Sequence, residues 1–303
     1  MTTPIIMHVN YCEQGQDLSD ICRKAVAWGF DGVEFRQRRF TVEEKTEDYL
    51  SALECAVRES GLKQVIFGYP CLDMNLRDAK ARQEQASNAI GFYRHVAERF
   101  PVTVVNAFAS LVQNLDPKVP GHDYGKQGSF IATEEQWKWA VEGFQALADG
   151  CRDTHLKFAF ETHMLYLHDT VAATLKLVER IDRPNVGVNL DYGNIVYFPG
   201  HPAIKETISQ IGKRLYYVHL KNSIQLFDGE RIPTALSEGA INHREYISTL
   251  LESGFDGPVC VEAPRSGDRE WYAQQDITYI KSVIADCKKV RPAQRRADSQ
   301  PTR

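Results

Sequence analysis

The chain has 303 residues, 43% of them hydrophobic, enough to bury one large core or two ordinary ones. A formal net charge of −4 gives no electrostatic case for binding nucleic acid or an anionic membrane. The start, MTTPIIMHVNYCEQG, lacks the basic and apolar regions of a secretion signal; no apolar run is long enough to span a bilayer; and the seven cysteines form no CxxC pair, so a cytoplasmic protein with reduced thiols is expected.

Eight short, mostly apolar runs read as strands: IIMHV (5–9), GVEFR (32–36), KQVIFGY (63–69), VTVVNAF (102–108), KFAFETH (157–163), NVGVNLD (185–191), LYYVHLK (215–221) and PVCVEAP (258–264). Continuous rather than alternating hydrophobicity fits strands covered on both faces. Helix-period segments lie between them. One opens at Asp169 as a cap, with Val171, Leu175 and Val178 on one face. Another runs from Asn242, with Glu245 completing a capping box, to a stop at Gly254. Strands alternating with helices over this length predict a (β/α)8 TIM barrel, a fold of about 250 residues, filling 1–290 as a single domain. A doubly wound sheet is the alternative, but GxGxxG and GxxxxGK[ST] are both missing. The polar, basic residues 291–303 are expected to be a disordered tail. Two connections are long: 109–132, and 222–241 with an Asp228-Gly229 hairpin turn. Both follow strands, so in a barrel both lie at the C-terminal mouth, where loops carry function and act as lids.

Ionisable residues gather at the strand ends. The fifth strand ends in Glu161 and His163, the sixth in Asp191; the seventh carries His219, and the eighth ends in Glu262. In a barrel they converge on one mouth. Each alone has an ordinary explanation: a solvated terminus, a core histidine, a turn-forming aspartate. Together, three carboxylates in a dry pocket require protonation or a cation, and oxygen ligands with one imidazole suit Mn²⁺, Co²⁺, Mg²⁺ or Zn²⁺.

From GFDGVEFR (29–36) to GFDGPVCVEAP (254–264) the chain resembles the sugar isomerase/epimerase group of xylose-isomerase-like TIM barrels, which includes tagatose 3-epimerases, inosose dehydratases and the catalytic subunits of C-glycoside deglycosidases. The resemblance implies that Glu161, Asp191, His219 and Glu262 hold one divalent ion, manganese ahead of the others. It implies that Glu161 and Glu262 exchange protons on a carbon beside a metal-polarised carbonyl, through an enediolate. The sequence departs from the ketose 3-epimerases at three substrate positions, which here are Leu167, Asn194 and Gln225. His163 shares a strand face with Glu161. It is expected as general base or acid, or else as a hydrogen-bond partner of Glu161. His8, Asn194, Lys221 and Arg265 are expected substrate contacts, Glu34 and Arg36 an internal ion pair, and His168 and His201 loop residues.

The leading expectation is therefore an isomerase or epimerase on a sugar or keto-sugar. A lyase on the same scaffold is the alternative, eliminating water or an aglycone. An endonuclease-IV-like phosphodiesterase and a non-catalytic sugar-binding protein rank below these. The expected partner is a small sugar, with no nucleic acid and no membrane. A homo-oligomer is open, as is a small partner subunit if the chain is a C-glycoside deglycosidase.

Overall fold

The computed structural model describes residues 3–39, 42–68, 73, 75–109 and 111–298. Eight parallel strands close into a barrel: β1 (Ile5–His8), β2 (Gly32–Arg36), β3 (Gln64–Gly68), β4 (Val104–Ala107), β5 (Lys157–Glu161), β6 (Val186–Asp191), β7 (Leu215–Leu220) and β10 (Val259–Val261), which returns to pair with β1. The short strands β8 (Ser223–Gln225) and β9 (Arg231–Pro233) form the hairpin expected around Asp228-Gly229, with Gly229 at φ 92°. All eight predicted strands are present. Their ends are shorter than the apolar runs, because pairing stops where the chain turns out into the mouth loops.

Along each barrel strand the faces alternate. Outward residues such as Val33, Phe35, Phe158, Phe160, Val188 and Val218 join the main core under the helices. Phe160 meets Phe144 of α4 (Glu134–Gly150) edge-on at 4.5 Å, and Phe158 meets Tyr93 of α3 (Ala79–Arg99) at 5.3 Å. Burying one such aromatic side chain is worth about 1.5–3 kcal/mol. Inward residues stack in layers. Ile6, Ile66, Val104, Ala159, Tyr217 and Cys260 make an apolar floor. Two residues past Gly32, Val104, Gly187 and Tyr217 on their strands, Glu34, Asn106, Asn189 and His219 form a buried polar layer. Apolar runs on both faces thus end in a polar mouth.

Helix ends follow local chemistry, with two corrections. In α5 (Val171–Ile181) the cap is Thr170, whose side chain accepts from the Ala173 N–H; Asp169 is spent elsewhere, accepting from the Ser129 N–H at 2.9 Å. In α8 (His243–Ser253) Asn242 accepts from both Arg244 and Glu245 N–H groups, but no return bond from the Glu245 side chain is present among the described residues, so the expected capping box is not completed; Gly254 ends the helix at φ 81° as expected. The final helix α9 (Arg269–Asp298) runs past 290, so residues 291–298 of the expected tail are helical. Among the described residues no helix is long and apolar enough to cross a membrane. Six free cysteines are described, mostly buried, and Cys71 lies outside the described residues.

Candidate metal centre

Glu161 ends β5, Asp191 ends β6, His219 sits one residue before the end of β7, and Glu262 follows β10 directly. Parallel pairing puts Asp191 beside His219, and His219 beside Cys260, which leads into Glu262. One ligand atom from each of the four lies within 4.8 Å of all the others. Glu161, Asp191 and His219 are almost fully buried.

The surrounding groups orient this set. His219 Nε2 donates to Glu34 Oε2 at 2.8 Å, which aims Nδ1 at Glu262 (2.9 Å), Glu161 (3.5 Å) and Asp191 (4.0 Å). A carboxylate behind a ligating imidazole is the usual support of a metal histidine. Asn106 donates to both Glu34 (2.9 Å) and Glu161 (2.8 Å), and Tyr217 OH donates to Glu34 at 2.7 Å. Gly68 makes room for this carboxylate: a Cβ there would lie 2.3 Å from Glu34 Oε1.

Charge in the cluster is unbalanced. Burial pushes the Glu161 carboxyl up, and Asp191 to about 6, against the pull of Lys221 and His219. Glu262 is half-buried, and although desolvation opposes it, Lys221, His8 and His219 hold it well below the carboxylate range. Burial disfavours the His219 imidazolium, but Glu34 and Glu161 outweigh it and raise its pKa well above the usual value. The Lys221 ammonium stands among the carboxylates, 2.7 Å from Asp191, 3.0 Å from Glu262 and 3.9 Å from Glu161. Positive charge thus gathers where the donor set demands it. Three carboxylate ligands and an imidazole with its outer nitrogen anchored fit a hard or borderline divalent ion, whose binding would replace the His219 proton and the ammonium.

A cavity of about 200 Å³ opens beside the cluster, lined among others by His8, Glu34, Phe108, Glu161, His163 and Glu262. The two histidines on this wall differ in state. His163 Nδ1 donates to the Met164 carbonyl at 2.8 Å, which leaves Nε2 with the lone pair. His8 Nδ1 accepts from the Asn10 N–H at 3.1 Å, which puts its proton on Nε2, 3.8 Å from Glu34 and 3.9 Å from Glu262. Burial, and then the Lys221 ammonium, push His163 down to about 4, and burial lowers His8 as well, so both rings are neutral at pH 7.

Several expected contacts sit elsewhere. Asn194, in the short helix α6 (Tyr192–Ile195), gives its amide hydrogens to Glu161 and Asp191, each at 2.9 Å, so it braces the ligands. Lys221 turns to the carboxylates because their charge is in surplus. Arg265 is not on the cavity wall: it bonds Asp276 (2.8 Å) and the carbonyls of Ala263 and Thr234, since one buried carboxylate and loose loop carbonyls lie within its reach. Arg36 bonds Glu13 at 2.6 Å rather than Glu34, which His219 and Tyr217 engage. His168 is no loose loop residue. It is fully buried, donating through Nδ1 to the Glu161 carbonyl and accepting at Nε2 from the Ala109 N–H, so it pins the end of β5. His201 is exposed in its loop, as expected. The sequence points to Glu34 only for an ion pair. Its inward register two residues past Gly32, on the strand next to His8, was the available signal for a site role.

The model of the xylose isomerase-like TIM barrel family matches residues 22–283. Among curated proteins, an inosose dehydratase of Clostridium perfringens is 26% identical over 171 residues, 51% of this chain and 57% of its own length. A 3-dehydroshikimate dehydratase of Bacillus anthracis is 23% identical over 143 residues, 43% of this chain and 50% of its own length. The chain thus spans little more than half the length of the curated relatives it matches. Among solved structures, a xylose isomerase-like TIM barrel protein of Mycobacterium smegmatis in complex with magnesium superposes with TM-score 0.70 at 19% identity, covering 94% of this chain and 98% of that one. D-psicose 3-epimerase of Clostridium cellulolyticum H10 with D-tagatose gives TM-score 0.71 at 17% identity, covering 93% and 99%. At these identities the likeness establishes the fold.

Proposed function

The chain belongs to the xylose isomerase-like TIM barrel family, and on that premise we propose that it is a divalent-metal-dependent lyase acting on a cyclic keto-sugar or keto-polyol. The carrying observation is the pair of cavity histidines held in opposite tautomers by backbone partners. When bound, the divalent ion would draw charge from a substrate carbonyl and acidify the carbon beside it. His163 Nε2 accepts that proton, and the Met164 carbonyl steadies the imidazolium through Nδ1–H. The C–H electron pair becomes the new C=C bond as the β C–O bond breaks. The His163 imidazolium then returns that proton to the departing oxygen, to which His8 Nε2–H donates a hydrogen bond, so protons and charge balance and both rings end neutral. Glu161 and Glu262 would hold the metal, and both line the cavity.

Elimination is preferred to ketohexose epimerisation because the three hydroxyl-contact positions of the epimerases are unavailable. Leu167 is buried apolar, Gln225 is exposed on the hairpin, and the Asn194 amide is committed to two carboxylates. The curated dehydratase relatives agree with this reading. Epimerisation remains the second reading, because both Glu161 and Glu262 line the cavity. The test incubates Mn²⁺-loaded protein in D₂O with an inosose, a 3-keto-glucoside and D-psicose. Loss of water or aglycone from either of the first two, with D-psicose unchanged, is expected. Deuterated epimers without elimination would replace the lyase by an epimerase.

A further inference from the structure

The segment that follows β5 carries a backbone outlier beside the cavity. Among the described residues, the non-glycines with positive φ are Asp182 at 49°, the left-handed cap of α5, and Leu165 at 73°. Aspartate tolerates that region at a helix end; for a bulky side chain it is costly. Leu165 is at no helix end. It is the third residue of a turn in which the Tyr166 N–H donates to the His163 carbonyl at 3.3 Å. Positive φ at the third position alone defines a type II turn, whose usual occupant there is glycine or asparagine.

A type I turn would reverse the chain without that strain. The two types differ by roughly a half-turn rotation of the middle peptide, here the one between Met164 and Leu165. In the type II form its carbonyl receives His163 Nδ1–H at 2.8 Å. In the type I form that carbonyl would point to the opposite side, and Nδ1 would lose its acceptor. Phe108 and Tyr166 meet the imidazole edge-on, with ring centres 5.6 and 5.3 Å away. Packing therefore sets the ring plane, and the peptide sets where the proton sits. Contacts outside the turn hold the strained form: the Val112 N–H donates to the Leu165 carbonyl at 2.8 Å, and Leu111 pairs antiparallel with Tyr166. A costly conformation persists where the surrounding structure fixes it in this way, and such strain gathers at functional sites.

We propose that Leu165 is a positioning residue: its left-handed conformation turns the Met164 carbonyl onto His163 Nδ1 and so keeps Nε2 open as the proton acceptor. The inference deepens the lyase reading and rests on its use of His163 as the base. Without that carbonyl a neutral imidazole prefers its proton on Nε2, the nitrogen that must accept.

Packing and backbone conformation make opposite predictions here. Leu165 is half-buried and packs against the main core. Leu165→Ile keeps the volume and apolar character, but its β-branch disfavours positive φ; Leu165→Gly and Leu165→Asn lose the packing and accept positive φ. Nitrogen-15 spectra of histidine-labelled, Mg²⁺-loaded protein distinguish the two neutral tautomers, and the His163 signals are those missing from His163→Asn. Wild type, Leu165→Gly and Leu165→Asn should carry the proton on Nδ1, and Leu165→Ile on Nε2. With an inosose as substrate, Leu165→Ile should lower kcat about tenfold or more with KM nearly unchanged, while the other two stay near wild type. A Leu165→Ile protein that keeps the Nδ1 proton overturns the proposal. Loss of that proton in Leu165→Gly and Leu165→Asn also overturns it, because packing rather than φ then sets the tautomer. A shifted tautomer with unchanged kcat upholds the positioning role and instead removes His163 from the proton transfer of the lyase reading. If the inosose is not turned over, the spectra decide alone.

Discussion

Two buried charged clusters lie around the end of β10 and differ in kind. One is Arg265 with Asp276 and Tyr11. It has one cation for one carboxylate, and Asp276 also accepts from Tyr11 OH at 2.8 Å and from the Leu236 N–H at 3.1 Å. Arg265 further covers the Tyr272 ring at 4.3 Å and ties the loop carbonyls of Thr234 and Ala263. The other is the mouth cluster, where Glu34, Glu161, Asp191 and Glu262 share the charges of His219 and Lys221 and border an open cavity. A matched buried pair holds loops together; a surplus of negative charge beside a cavity is a place for a cation. Asp169 is a third case, a buried carboxylate with no cation beside it among the described residues: Oδ1 has no hydrogen-bond partner there, and burial pushes its pKa up to about 6.

The contrast breaks first at the metal. Glu161→Gln should weaken Mn²⁺ binding by more than the ~10–100-fold that loss of an outer-sphere partner costs. Arg265→Met should leave that affinity unchanged. Fluorescence-competition titration against a chelator measures both, and a Glu161→Gln protein with wild-type affinity would remove Glu161 from the ligand set.

Stability should show the reverse. Arg265→Met strands the Asp276 carboxylate and should cost about 3–5 kcal/mol by urea unfolding, with or without Mn²⁺. Lys221→Met should destabilise the metal-free protein and be largely rescued by Mn²⁺, since the ion supplies the missing charge. Equal losses for Lys221→Met with and without metal would mean that the ammonium is structural rather than a counter-ion of the site.

His163→Asn tests the division of work within the mouth. It should lower turnover about 10²-fold, equivalent to ~2.7 kcal/mol, with metal affinity and unfolding unchanged. Normal turnover at saturating metal would pass the proton transfer back to Glu161 and Glu262.

The smallest effect belongs to Asp169. Its folded pKa, about 6, lies above the ordinary 3.8, so the stability contributed by its protonated form is complete below about 3.8 and is lost as pH rises through about 6. Asp169→Asn does not titrate. Its stability relative to wild type should therefore improve by about 1–3 kcal/mol between those pH values. A constant difference across that range would show that Asp169 ionises normally.

Strand number, barrel class and the residues that crown the strands followed from local pattern. The hydrophobic runs end in Glu161, Asp191, His219 and Glu262, and period two on a strand puts His163 on the face of Glu161. What sequence reading missed depends on side chains from distant segments. Asn106 joins Glu34 to Glu161 across the barrel, and Arg265 finds Asp276 on α9. Spacing along the chain carries no signal of either.

By itself, then, the sequence determined which strands form and which residues crown them, because hydrophobic period and strand polarity are local properties. Only the tertiary structure decided what those residues do. Closure of the barrel set Glu34 beneath His219 and drew Lys221 into surplus negative charge. It also let two backbone groups choose opposite tautomers for His8 and His163. Electrostatic pairing and proton placement depend on distances of a few ångströms between strands, and those distances exist only once the barrel is closed.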